Sequence, residues 1–87
     1  MSVSCESEGQ PAVEGLGRDL SVGGMFIESG ATLAFNTKLT IVCRIPGMDA
    51  DSRLPAIVRW AKPGGFGVQF GMLGARETHA ITRLMRG

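Results

Sequence analysis

TKLTIVCRI, residues 37–45, alternates without a break. Leu39, Ile41, Cys43 and Ile45 fall on one face, and Lys38, Thr40, Val42 and Arg44 on the other. A period of two is the pattern of a half-buried strand, since successive side chains point to opposite faces. Working outward, Pro46 to Ser52 carries Pro-Gly and Asp-x-Asp, which is turn chemistry. A second strand is expected from Arg53 to Lys62, with Leu54, Ala56, Val58 and Trp60 on one face and Ile57, Arg59 and Ala61 opposite. Pro55 has no N–H for a ladder, so it suggests an edge or a bulge. Lys62-Pro63-Gly64-Gly65 turns the chain, and Phe66, Val68 and Phe70 alternate with Gly67 and Gln69 in a third strand.

The opening segment fits the same scheme. Val3 to Glu6 reads as a short strand, Ser7 to Gln10 as a turn, Ala12 to Leu20 as the partner strand, and Gly24 to Glu28 as the next. Six short strands with no helix between them predict a mostly β fold, a small antiparallel barrel or sandwich. From Ala75 to Arg86 the period becomes helical, with Thr78, Ile81, Leu84 and Met85 on one face. Gly74 is placed near the N-cap, and Arg83 and Arg86 complement the dipole of the last turn. The 87 residues form one domain, 1–87, with no linker or repeat.

The totals exclude several functions. A net charge of +1 lacks the basic excess of a DNA- or RNA-binding surface. Tyr is absent, and the four Phe fall mostly at strand-core positions, so stacking platforms for single strands are not expected. Cys5 and Cys43 are isolated and His79 is the single histidine, too few ligands for zinc. The cysteines are expected to be reduced, small apolar strand residues. No nucleophile–base pair can be assembled, so the chain is read as not an enzyme. No signal peptide or membrane-spanning run is present, which makes the cytoplasm the expected compartment. Trp60 is expected in core or rim packing, His79 on a solvated helix face, and Arg59 as a solvated strand arginine. Gly15-Leu16-Gly17 and Gly65-Phe66-Gly67 are expected to be turn or bulge glycines. Met25, Phe26, Met72 and Met85 are the apolar side chains that so small a domain has most trouble burying. A patch left over from them would mark a partner or self-association surface.

The stretch GRDLSVGGMFIES, residues 17–29, needs a separate account. On extended backbone Asp19 and Ser21 project from the same face. Asp19 offers acceptors and Ser21 a hydroxyl, which suits a purine edge with N–H donors. Gly23 and Gly24 permit positive φ and close approach of a flat ligand. Arg18 beside them can pair with phosphate or stack on a base. The alternative is a turn in which Asp19 and Ser21 bond only their own backbone. Both stay open on chemistry alone.

Asp19-Leu20-Ser21-Val22-Gly23-Gly24 matches the DxSxxG motif of PilZ domains, and Met25-Phe26-Ile27 resembles the strand that continues it. Ala56-Ile57-Val58-Arg59-Trp60, followed by Gly65-Phe66-Gly67-Val68-Gln69-Phe70, resembles the family's late strand pair. With the terminal helix, the likeness covers residues 12 to 86. The resemblance implies a six-stranded antiparallel β-barrel with a C-terminal α-helix, acting in bacterial cyclic di-GMP signalling. It implies cyclic di-GMP as the candidate ligand, no cofactor, and Asp19, Ser21 and Gly24 on the guanine-binding side, with Arg18 adjacent. The family's RxxxR motif, whose arginines clamp phosphate and stack on guanine, has no counterpart before Asp19, and Arg18 is the only arginine in the first 43 residues. Two lost charge-assisted hydrogen bonds weaken binding by about 3–6 kcal/mol, on the order of a hundred- to ten-thousand-fold. Two accounts are open: a segment that begins just after an RxxxR, or a degenerate PilZ domain that works by protein contact.

Overall fold

A computed structural model describes residues 1–86. Six strands, β1 (Ser2–Glu6), β2 (Val13–Arg18), β3 (Gly24–Glu28), β4 (Lys38–Cys43), β5 (Ser52–Lys62) and β6 (Gly65–Phe70), precede one helix, α1 (Ala75–Met85). All pairings are antiparallel, and the strands close into a barrel in the order β1-β2-β3-β6-β5-β4. Closure removes free sheet edges, so every strand finds backbone partners on both sides.

The alternation of 37–45 decides which side faces in. Leu39, Ile41, Cys43 and Ile45 are buried, and they meet Leu54, Ala56 and Val58 of β5 and Phe66, Val68 and Phe70 of β6 in one core. Strand β1 adds Val3 and Cys5, and β3 adds Met25 and Ile27. Strand β2 brings only Val13, Gly15 and Gly17 to this side. A Cβ on Gly15 would sit 2.7 Å from Ile27 Cγ2, and one on Gly17 would sit 2.7 Å from Met25 Sδ. These are strand glycines required by inward packing, not the turn or bulge glycines expected. Cys5 and Cys43 are free thiols in the core. Burial, then the Glu14 and Cys43 charges, push the Cys5 pKa up to about 11.

The interior departs from expectation on β5. Val58 pairs with Val68, but Trp60 pairs with Gly67, leaving one extra residue between them. Such a bulge inverts the facing of everything beyond it. Trp60 is therefore turned outward and is 49% exposed, which corrects its assignment to the Leu54–Val58 face. Pro55 sits at neither an edge nor the bulge; it pairs with Thr40 inside the closed barrel.

Helix α1 hangs from a single buried side chain, Ile81, with Ala80 and Leu73 packed partly against the core. Leu84 and Met85, expected on the buried face, are 39% and 56% exposed, and Met72 is 94% exposed. Gly74 is the N-cap but gives no side-chain cap bond; its carbonyl accepts the Thr78 N–H at 3.0 Å. No described helix is long and apolar enough to cross a membrane.

Candidate functional site on the barrel wall

Strand β2 ends at Arg18 because the next residue turns: Asp19 has φ of 55°. The segment is thus not extended at Asp19, contrary to the sequence expectation. Left-handed backbone is uncommon outside glycine, although Asp tolerates it better than most residues. Asp19 is exposed, and among the described residues its carboxylate has no hydrogen-bond or ion-pair partner. It is an acceptor pair held out to solvent on a constrained turn.

Ser21 is engaged locally. Its N–H donates to the Gly24 carbonyl at 2.9 Å, and the Gly24 N–H returns a 3.4 Å bond to the Ser21 carbonyl. The hydroxyl donates to the Gly24 carbonyl at 3.3 Å and accepts the Gly23 N–H at 3.2 Å. The turn is anchored to the barrel because the Phe70 N–H donates to the Gly23 carbonyl at 2.9 Å. Neither Gly23 nor Gly24 has positive φ. Gly24 is needed for a different reason: a Cβ there would collide with the Val68 carbonyl of β6. Own-backbone bonding therefore holds for Ser21 and not for Asp19.

Arg18 pairs with Glu28 through Nε at 2.7 Å. That hydrogen bond and the carboxylate charge raise the Arg18 pKa, so the guanidinium is firmly cationic but already engaged. Arg18 also opens a lane across the wall. It pairs with Phe26, Phe26 with Gly67, and Gly67 with Trp60. The two rings lean toward each other above β6 and stack, with centroids 5.2 Å apart and planes 14° apart. Lys62 Nζ lies 5.1 Å from the Phe26 centroid and 5.8 Å from that of Trp60, within cation–π range. Gly65 and Gly67 lack side chains because Phe26 and Trp60 occupy the space above them. Arg59, the extra residue of the bulge, is held by Gln69 Oε1 at 2.7 Å and Asn36 Oδ1 at 3.4 Å.

The family pattern described as PilZ domain matches residues 1–87. The chain belongs to the PilZ domain family. The crystal structure of the PilZ domain of CeSA from a cellulose-synthesizing bacterium is similar at a TM-score of 0.72 and 25% identity, over 99% of this chain and 89% of that one. No curated protein matches. PilZ domains are a receptor family for cyclic di-GMP and serve as regulatory binding domains. In this PilZ barrel the DxSxxG residues lie in one turn, with Arg18 at its entrance. Period-two alternation alone hides the aromatic stack, because it puts Trp60 on the Leu54–Val58 face. The bare Gly65-x-Gly67 lane was the available signal, since a β lane without side chains needs covering from its neighbours.

Proposed function

We propose that this PilZ domain is a regulatory receptor module that takes cyclic di-GMP at the Asp19–Gly24 turn. The single observation that carries it is the exposed, unpartnered Asp19 carboxylate beside a Ser21–Gly24 turn that is hydrogen-bonded to itself and, through Phe70, to β6. A free carboxylate accepts two N–H donors from a guanine edge without first giving up an internal partner. Arg18, next to Asp19 in sequence, supplies a cation for a phosphate, and the Phe26–Trp60–Lys62 lane offers an aromatic surface on the same wall. Gly24 contributes by keeping the turn against β6, and Ser21 by setting its shape.

One observation favours the alternative of a PilZ module that acts through protein contacts without the nucleotide. Arg18 is already neutralised by Glu28 at 2.7 Å, so phosphate must compete with an internal carboxylate. The two readings separate by calorimetric titration of cyclic di-GMP into the wild type, Asp19→Asn and Glu28→Gln. The receptor reading expects saturable binding, at least tenfold weaker in Asp19→Asn and severalfold tighter in Glu28→Gln. Absence of saturable binding in both the wild type and Glu28→Gln, with the barrel folded, would overturn the receptor reading for this chain.

A further inference from the structure

Between α1 and the loop that follows β4 lies an open cleft of about 550 Å³. Pro46, Gly47, Met48 and Asp49 form one wall, and Arg76, His79, Ala80, Arg83 and Leu84 the other. The helix residues follow from its period: positions 76, 80, 83 and 84 share one face, while Ile81 turns to the core. This cleft includes none of the residues from the DxSxxG turn or the aromatic lane.

Its arginines differ from those of the barrel. Arg18, Arg44 and Arg53 make ion pairs, and Arg59 is hydrogen-bonded to Gln69 and Asn36. Among the described residues, neither Arg76 nor Arg83 has an ion-pair or side-chain hydrogen-bond partner. Two guanidiniums therefore face a cleft containing one carboxylate, Asp49. The apolar part of the lining is Met48, Ala80 and Leu84; Ala80 lies between the two arginines along the helix, and Leu84, 39% exposed, lies beside Arg83.

Spacing identifies the occupant. Seven residues of helix separate Arg76 from Arg83, about 10 Å along the axis at roughly 1.5 Å per residue. A single phosphate does not span that distance, and an apolar strip does not favour one. We infer that this cleft docks an acidic amphipathic segment of a protein partner, with carboxylates about 10 Å apart on either side of an aliphatic side chain. The carboxylates meet Arg76 and Arg83, where desolvated guanidinium–carboxylate pairs set register. The aliphatic group lies on Met48, Ala80 and Leu84. This site is independent of the nucleotide reading, and either stands if the other fails.

The test pans a phage library of random dodecamers on the 87-residue protein and measures the recovered peptides by fluorescence polarisation. Expected are peptides with paired acidic residues flanking Leu, Ile or Met. They should bind at least tenfold more weakly to folded Arg76→Glu/Arg83→Glu and undiminished to Lys38→Glu, which makes a smaller change of net charge away from the cleft. Amide shifts on binding should gather at Gly47–Asp49 and along α1. Recovery without acidic enrichment would overturn the inference, as would equal weakening in Lys38→Glu. So would saturable shifts along α1 with inorganic pyrophosphate or cyclic di-GMP, which would make the cleft a small-anion site.

Discussion

Along the barrel wall Arg18 meets Glu28, Arg44 meets Asp51 close to the end of β4, Arg53 meets Glu6, and Arg59 meets Gln69 and Asn36. On α1, Arg76 and Arg83 reach no such partner among the described residues. The difference follows from geometry. Arg18–Glu28 and Arg59–Gln69 join neighbouring strands at fixed cross-strand spacing. Arg53 reaches across β4 to Glu6, and Arg44 and Asp51 face each other at the two ends of the β4–β5 connection. A helix attached by one buried residue projects its polar face into solvent, where nothing is in register with it. An anionic ligand on the wall has to displace Glu28, whereas an acidic partner on α1 displaces only water.

That contrast predicts different responses to substitution. The largest effect is expected from Gly24→Ala, because the added methyl group meets the Val68 backbone, which cannot move without breaking the β3–β6 pairing. Stability should fall by about 3–5 kcal/mol in urea unfolding. A loss under about 1 kcal/mol would show the wall to be far more pliable than its packing implies. Ile81→Ala should cost about 2–4 kcal/mol, expressed locally. Hydrogen exchange along α1 should accelerate while the β5 and β6 amides keep their protection. Uniform acceleration would mean that helix and barrel unfold as one unit.

The interior of the wall can be probed by pH. Cys5 has a folded pKa of about 11 against an ordinary value of 9.0, so the native state favours the neutral thiol. Its contribution is complete below about pH 9 and is lost as pH rises toward 11. The decline should be about 2–3 kcal/mol in the wild type relative to Cys5→Ala. Cys43, raised chiefly by burial, acts in the same direction. Matching pH profiles in the two proteins would mean that the core admits the thiolate. The smallest effect belongs to the outer lane. A double-mutant cycle of Phe26→Leu and Trp60→Leu should give a coupling of about 0.5–1.5 kcal/mol, and zero coupling would reduce the stack to mere proximity.

The barrel was legible because alternation in residues 37–45 and 66–70 survives intact in β4 and β6. Inward glycines on β2 were less visible, since only the bulk of Met25 and Ile27 opposite explains them. The helix was located correctly, but its periodicity overstated its contact. A repeating apolar face records which residues can be buried together, not how much of a partner surface exists to bury them. In the candidate site, the motif singles out Asp19, Ser21 and Gly24 but not what each does in the turn. Only in the folded barrel does Ser21 close its own turn, Gly24 admit β6, and Glu28 occupy Arg18. Trp60 was misassigned because a bulge leaves no mark in a period-two pattern when the extra residue is an ordinary arginine.

The extra residue at Arg59 also bears on how this surface can diversify. A strand normally fixes polarity by parity, so changing what it displays requires replacing letters one at a time. An insertion inverts the parity of the entire remainder, here bringing Trp60 and Lys62 onto the outer lane together. Deleting Arg59 would send Trp60 toward a lumen already filled by Phe66 and Val58 while leaving the spelling downstream unchanged. Sequences carrying the same Trp at the end of this strand can therefore present opposite walls. Strand length, counted from Val58, distinguishes them where residue identity does not.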